Sequence, residues 1–215
     1  NVLILISTKV NHTLNADYIV KYILQNTMAD RDAIFIPIFN EVYEEEESSI
    51  KRLLGWCFDF EGFDNTSNET IRLSAMMIAT FLISSNRDLR DKSTKALVNL
   101  LTGKMDIVID LLKTFEDVDD PYIIERLYAV AFGCVVSEQS EEMIEALAVY
   151  VYNKIFDVDY VYPNILLRDY AKNIVDYAKY KIDSSVLKDM NVEPPYKSIF
   201  PKVPTDEEIE GYKYD

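Results

Sequence analysis

The chain has 215 residues, and its content of 49% hydrophobic and 27% charged residues is typical of a folded globular protein and excludes an intrinsically disordered one. Its 37 acidic residues outnumber the 22 basic ones and give a formal net charge of −15. Such a charge repels phosphate backbones and anionic lipids, so neither nucleic acid nor a membrane is an expected partner.

The first predicted region, residues 1–62, contains helical patterns at Val2–Ile6, Ala16–Leu24, Ala29–Tyr43 and Ser49–Phe60. The opening pattern is short enough for a strand, but no later segment offers it a sheet. It is interpreted as the end of a truncated helix, in a segment cut from a longer protein. Asn15 is expected to cap the second helix, and Pro37 should kink or restart the third. The acidic run Glu44–Glu47 complements the dipole of the fourth helix.

Residues 63–183 repeat one pattern three times, a pair of helices joined by a short turn. The predicted pairs are Asn68–Ile83 with Arg87–Leu101, Lys104–Glu116 with Pro121–Val136, and Glu141–Phe156 with Pro163–Tyr180. A capping box at Thr66–Glu69 opens the first pair. Asn86 and Asp120 are expected to cap second helices, and Gly103 to end one in the left-handed conformation. Because a lone hairpin cannot cover its apolar faces, antiparallel hairpins in a row predict an all-α solenoid.

Residues 184–215 are predicted to form a tail outside the repeats. The stretch Val192–Pro204 is extended and proline-rich, and Thr205 can cap a last short helix. We expect this tail either to pack along the end of the stack or to link the segment to another domain.

A pair of charged residues recurs at the same place in each second helix. The pairs are Arg90–Asp91, Glu125–Arg126 and Arg168–Asp169. Stacked repeats should bring them close together, so we expect them to fix the registry between repeats, while some could instead face a partner.

The candidate partner-binding stretch is the loop Asp157–Tyr162, with the sequence DVDYVY. Its pattern is too exposed for a core segment, and tyrosine is favoured at interfaces because it buries a large ring and keeps a polar end. The residues expected to contact a protein partner are Asp157, Asp159, Tyr160 and Tyr162.

The sequence contains no set of residues that indicates a reaction. None of the five glycines has the spacing of a phosphate-binding loop. His12, the one histidine, lies in a predicted turn, and paired acids such as Asp119–Asp120 are better explained as caps. Cys57 and Cys134 lie in apolar helical patterns and indicate buried thiols in the reducing cytoplasm, although the sequence leaves a disulfide open. We therefore expect no metal, no cofactor and no enzymatic activity.

The repeats resemble HEAT repeats, whose second helix carries an aliphatic residue followed by Arg, then a small residue three positions later and a further aliphatic one. The residues that fit are Leu89, Arg90, Ser93 and Leu97 in one repeat, and Leu167, Arg168, Ala171 and Ile174 or Val175 in another. The middle repeat departs from the pattern, because Ile123 is followed by Ile124 and Arg126 comes two places late. The resemblance implies a HEAT-like α-solenoid.

Four stretches are also similar to parts of very large bacterial ATPases of the STAND type, several of which act in defence against phage. The stretches are Asn11–Asp32, Ser84–Leu101, Asp119–Gly133 and Leu166–Ala178. In that family the ATPase module is a different segment, and the helical repeats serve as sensor or scaffold. The resemblance implies a non-catalytic protein-interaction segment, the scaffold or sensor arm of a larger ATPase. An all-helical enzyme that uses groove carboxylates and a purely structural spacer are the alternatives.

Overall fold

The computed structural model describes residues 1–59, 63, 65–200 and 202–211, and every regular element in these ranges is a helix, which confirms the predicted all-α class. The α-helices are α1 (Val2–Ser7), α2 (Ala16–Leu24), α3 (Met28–Glu44), α4 (Ser49–Trp56), α5 (Asn68–Thr80), α6 (Arg87–Leu101), α7 (Met105–Phe115), α8 (Pro121–Val135), α9 (Glu141–Ile155), α10 (Ile165–Lys181), α11 (Ser185–Lys188) and α12 (Asp206–Gly211). A 3-10 turn, Phe81–Ile83, extends α5. No helix within the described ranges has the length and apolar character needed to cross a membrane.

Side-chain caps explain where most of the helices begin. Three of the predicted caps are confirmed: the side-chain oxygen of Asn15 accepts from the Tyr18 amide, that of Asn86 from the first turn of α6, and that of Asp120 from the Tyr122 amide at 2.9 Å. Gly103, with φ of +76°, ends α6 in the left-handed conformation as predicted.

The predicted capping box at Thr66–Glu69 is wrong by one residue. Ser67, not Thr66, caps α5, because its hydroxyl accepts from the Thr70 amide at 3.1 Å. Glu69 does not complete a box, since its carboxylate accepts two hydrogen bonds from Arg72 at 2.9 and 2.7 Å.

The amino-terminal helices differ from the prediction at two points. Of the two outcomes expected at Pro37, the restart does not occur: α3 continues for seven residues to Glu44, because Phe39, Val42 and Tyr43 are buried and hold its second half against the core. The fourth helix ends at Trp56 and not at the predicted residue 60; residue 60 and the predicted boundary at residue 62 lie outside the described residues.

The helices of residues 68–181 pack in chain order. The first and second helix of each predicted pair are in contact, and α8 lies between α6 and α10. The approach of α8 to α6 is close at Gly133, where a Cβ atom would lie 2.8 Å from Cγ2 of Val98. On the other side of the molecule α2 packs on α5, and a single apolar core extends from Ile4 in α1 to Val192 beyond α11.

The chain after α11 returns to the last helices. Met190 and Val192 are buried, and Lys179 donates a hydrogen bond to the Met190 carbonyl at 2.5 Å. The Tyr196 ring lies 5.7 Å from the Phe156 ring and 5.1 Å from the Arg168 guanidinium. Residues 190–198 therefore pack against α10 and against Phe156, the residue that follows α9.

Candidate protein-interaction surface

Exposed apolar side chains cluster at the amino-terminal ends of α8 and α10. Tyr122 is 59% exposed, Tyr162 54%, Ile165 74% and Leu166 48%. We call these residues, together with Pro121, Pro163, Asn164 and Glu125, the α8–α10 surface. Their exposure follows from helix periodicity, because Ile123 and Leu167 on the inner side of the same turns are buried.

The capping residues explain why these side chains begin their helices. Asp120 caps α8 and Pro121 occupies its first turn, which leaves Tyr122 outside the core. The Asn164 side chain caps α10 by accepting from the Leu167 amide at 3.0 Å, so Ile165 and Leu166 occupy the exposed part of its first turn.

Two adjoining clefts open on this surface. The first, of about 440 Å³, lies between the amino ends of α8 and α10, and its lining residues are Pro121, Tyr122, Glu125, Tyr162, Pro163, Asn164, Ile165 and Leu166. The second, of about 380 Å³, shares Pro121 and Tyr162 with the first and reaches toward α9; its other lining residues are Glu116, Val118, Asp119, Asp120, Ile124, Ile155 and Leu167. Both volumes fall in the range of ligand-binding pockets.

The first cleft contains a carboxylate with little access to solvent. Glu125 is only 9% exposed, and one of its oxygens accepts a hydrogen bond from the Asn164 side chain at 3.1 Å. The other Glu125 oxygen has no partner among the described residues and can accept a hydrogen bond from a ligand in this cleft.

The acids of the second cleft are already engaged. Glu116 forms an ion pair with Lys154 at 2.9 Å, and this hydrogen-bonded ammonium lowers the pKa of the Glu116 carboxyl. Asp119 forms an ion pair with Arg31, whose side chain is 1% exposed, and accepts from the Met28 amide at 3.1 Å. Asp120 accepts from the Tyr122 amide as the cap of α8.

The structure brings together two of the six residues expected to fix the repeat registry. Arg126 on α8 and Asp91 on α6 form an ion pair of 3.0 Å. Arg90 instead donates to the Ser84 carbonyl at 2.7 Å, and its guanidinium lies 5.5 Å from the centre of the Tyr122 ring.

The remaining predicted registry residues have other contacts. Glu125 holds Asn164, Arg168 lies over Tyr196, and Asp169 accepts from Asn173 on its own helix at 3.3 Å. Within the described ranges, Arg168 and Asp169 form no ion pair with α8, so the row of charges does not continue from α8 to α10.

The predicted contact loop Asp157–Tyr162 is exposed except for Val161, which is 6% exposed. Part of it is covered by the tail of the same chain. The Val161 amide donates to the Lys197 carbonyl at 2.8 Å, and the Ser198 hydroxyl donates to the Val161 carbonyl at 2.7 Å. The Lys197 ammonium lies 4.5 Å from the centre of the Tyr160 ring.

Only Tyr162 of the predicted contact residues lines the two clefts. Tyr122, Ile165 and Leu166 were missed by the sequence pattern, because they belong to helix starts where an apolar residue is normally assigned to the core. The aliphatic pair Ile165–Leu166 directly before the buried Leu167 was the available signal, since three consecutive residues of a helix cannot all face one side.

Other parts of the described chain offer less for a ligand. A cleft of about 340 Å³ between α5 and α7 contains Arg72, but its guanidinium is held by Asp17 and Glu69. Cys57 and Cys134 are free thiols, and burial raises the pKa of each to about 12, which leaves them unreactive at neutral pH. No group of three or more potential metal ligands occurs among the described residues.

Comparisons with protein-family models, curated proteins and solved structures gave no match to this chain.

Proposed function

We propose that this chain is a non-catalytic helical-repeat segment that binds a protein partner through the α8–α10 surface. The observation that carries the proposal is the exposure of Tyr122, Tyr162, Ile165 and Leu166 around two adjoining clefts. Contiguous apolar patches that combine aromatic and aliphatic side chains are typical of protein-interaction sites. A purely structural spacer has no need for such a surface.

We further propose that α5–α10 form a HEAT-like solenoid. Its support is the sequence repeat together with the packing order, in which each predicted pair is in contact and α8 lies between α6 and α10. In this arrangement the amino ends of second helices line one edge of the stack. Such an edge is suited to binding an extended partner segment.

The segment is proposed to act as the scaffold or sensor arm of a larger cytoplasmic bacterial ATPase of the STAND type, a class that includes proteins of phage defence. The sequence resemblance supports this assignment, and the two free cysteines fit a reducing compartment. The complete reading frame tests it: a phosphate-binding loop outside this segment is expected, and its absence from the whole protein would contradict the ATPase assignment.

Site-directed photo-crosslinking tests the protein-binding function. A photo-reactive phenylalanine analogue replaces Tyr162 in one variant and Tyr180, which is 87% exposed at the opposite end of α10, in a matched control. In extracts of the source cells, we expect a specific crosslinked protein at position 162 and none at position 180.

The same crosslink should disappear when Ile165→Ser and Leu166→Ser are combined with the photo-reactive residue at position 162. Both side chains are exposed, so the double change leaves the core intact, which circular dichroism verifies. Crosslinks of equal yield at positions 162 and 180, or a crosslink that survives the double substitution, would contradict the proposed surface.

A further inference from the structure

The tyrosines on this side of the molecule repeatedly contact cations. The Arg90 guanidinium lies 5.5 Å from the centre of the Tyr122 ring, the Lys197 ammonium 4.5 Å from Tyr160, and the Arg168 guanidinium 5.1 Å from Tyr196. Tyr162 is the exception, since its side chain has no cation, hydrogen bond or ring partner among the described residues and the residue is 54% exposed. Its ring is therefore available to a positive charge from outside.

The same cleft supplies a negative charge. Glu125 and Tyr162 both line the cleft of about 440 Å³ between α8 and α10. Glu125 is 9% exposed and has one oxygen bound to Asn164, which fixes its position. Because Glu125 itself is largely buried, a hydrogen bond from a cation to its carboxylate is stronger than one to a fully exposed carboxylate.

The tail of the chain shows how a polypeptide can lie next to this cleft. The Lys197 carbonyl accepts from the Val161 amide, and the Ser198 hydroxyl donates to the Val161 carbonyl. The Lys197 ammonium lies over the Tyr160 ring. An extended segment that carries lysine is thus already bound beside Tyr162. The net charge of −15 also favours the approach of a basic partner.

We propose, on the basis of the protein-binding function above, that the cleft between α8 and α10 takes a lysine or arginine side chain from an extended segment of the partner protein. The Tyr162 ring stacks on the cation and the Glu125 carboxylate accepts its hydrogen bonds. Ile165 and Leu166 contact apolar residues that flank the basic one.

Fluorescence anisotropy with short peptides tests this inference on the full chain. The probes are fluorescein-labelled pentapeptides of sequence glycine–phenylalanine–X–isoleucine–glycine, where X is lysine, arginine or the uncharged isostere norleucine. We expect the lysine and arginine peptides to bind saturably and the norleucine peptide to bind about tenfold more weakly, because one charged hydrogen bond is worth a tenfold change in affinity or more. Binding of the lysine peptide should also weaken as the salt concentration rises.

Variants assign the effect to the cleft. Glu125→Gln, which can still accept from Asn164, should abolish the preference for lysine over norleucine, and Tyr162→Leu, at an exposed position, should reduce it. Tyr180→Leu is the control and should keep the preference. If Glu125→Gln lowers the melting temperature, Tyr162→Leu alone decides the result.

The outcomes separate this inference from the proposed function. Equal binding of the three peptides, no saturable binding of any, or an unchanged preference in Tyr162→Leu would overturn the basic-side-chain inference. A crosslink at position 162 that persists in that case would leave protein binding intact. Absence of a crosslink at position 162 in the otherwise unsubstituted chain would instead overturn the interaction surface itself.

Discussion

Two adjacent carboxyl groups in the loop before α8 behave in opposite ways. The Arg31 guanidinium, which is itself buried, lowers the pKa of Asp119 below its usual 3.8, and the Met28 amide acts in the same direction. Asp120 is 4% exposed, and burial raises its pKa even though it accepts from the backbone of α8. A neighbouring charge therefore has the largest effect on the pKa of Asp119, and desolvation has the largest effect on the pKa of Asp120.

Asp119→Asn should make the protein less stable near neutral pH and barely change it in acid. A carboxyl whose folded pKa is lowered stabilises the folded state above its unfolded pKa, and this contribution disappears as the pH falls through the folded pKa. Because the Asp119 side chain is 58% exposed, we expect a loss of about 1 kcal/mol in the free energy of unfolding at about pH 7.

Urea unfolding of the wild type and of Asp119→Asn between about pH 7 and about pH 2 measures the difference in their free energies of unfolding. This difference should shrink as the pH falls toward the acidic end of the range. Asp159→Asn, at an exposed position without an ion pair among the described residues, is the control and should change little. A difference between the wild type and Asp119→Asn that stays constant with pH would show that the ion pair with Arg31 does not stabilise the fold.

At the scale of the helices, the contact between α6 and α8 combines a close backbone approach with one ion pair. Gly133 on α8 faces Val98 on α6, and the Cys134 thiol next to it lies 3.8 Å from the Val98 carbonyl. Further along the same pair of helices, Arg126 reaches Asp91. Steric fit and charge pairing thus fix the position of α8 on α6 at two separate points.

Gly133→Ala should destabilise the protein although alanine is the better helix former. The new Cβ would lie 2.8 and 3.1 Å from the two methyl carbons of Val98, a β-branched side chain with little rotameric freedom. Overpacking of this kind costs about 1–3 kcal/mol, which exceeds the gain of about 1 kcal/mol in helix propensity. The melting temperature of Gly133→Ala measures the net effect, and the double variant Gly133→Ala, Val98→Ala should recover most of it. Failure of that rescue would place the strain elsewhere.

Asp91→Ala should lower the melting temperature without preventing folding. Its partner Arg126 is 27% exposed and Asp91 is 37% exposed, so their ion pair contributes about 0.5–1 kcal/mol, at the upper end for surface pairs. A double-mutant cycle with Arg126→Ala isolates the pair from the packing of each side chain. A coupling energy near zero would exclude a role of this pair in holding α8 on α6.

Local signals made most of the helices predictable, and contacts between distant residues did not follow from them. Asn86, Asp120 and Gly103 act where the sequence placed them because caps and helix stops depend on neighbours only a few residues away. The pair Arg31–Asp119 spans 88 residues of chain, and no local pattern marks either residue.

The candidate site was predictable only in part for the same reason. Tyr162 could be recognised from its loop, but the bond between Asn164 and Glu125 spans 39 residues, and it directs Glu125 away from the predicted row of charges. The exposure of Tyr122 follows from helix periodicity, but the cleft that it lines with Tyr162 depends on where α10 packs on α8, which no local pattern determines.

At the scale of the whole molecule, the tail completes the core at one end. Met190 and Val192 are buried against the last helices, whereas Ile199, Phe200 and Val203 are exposed. The two halves of the tail should therefore differ in what they contribute to stability. The first half covers apolar surface of the α9–α10 pair, and the second half does not.

Removal of residues 190–215 should lower the free energy of unfolding by roughly 3 kcal/mol or more, because burial of each large apolar side chain is worth about 1.5–3 kcal/mol. Removal of residues 201–215 should change it by less than about 0.5 kcal/mol, since all described side chains in that part are exposed. Urea unfolding of both truncated proteins against the full chain gives the comparison. Val192→Asp in the full chain should resemble the longer truncation, as it places a charge in the same buried site. Equal stability of the two truncated proteins would mean that the buried tail residues do not hold the last helices together.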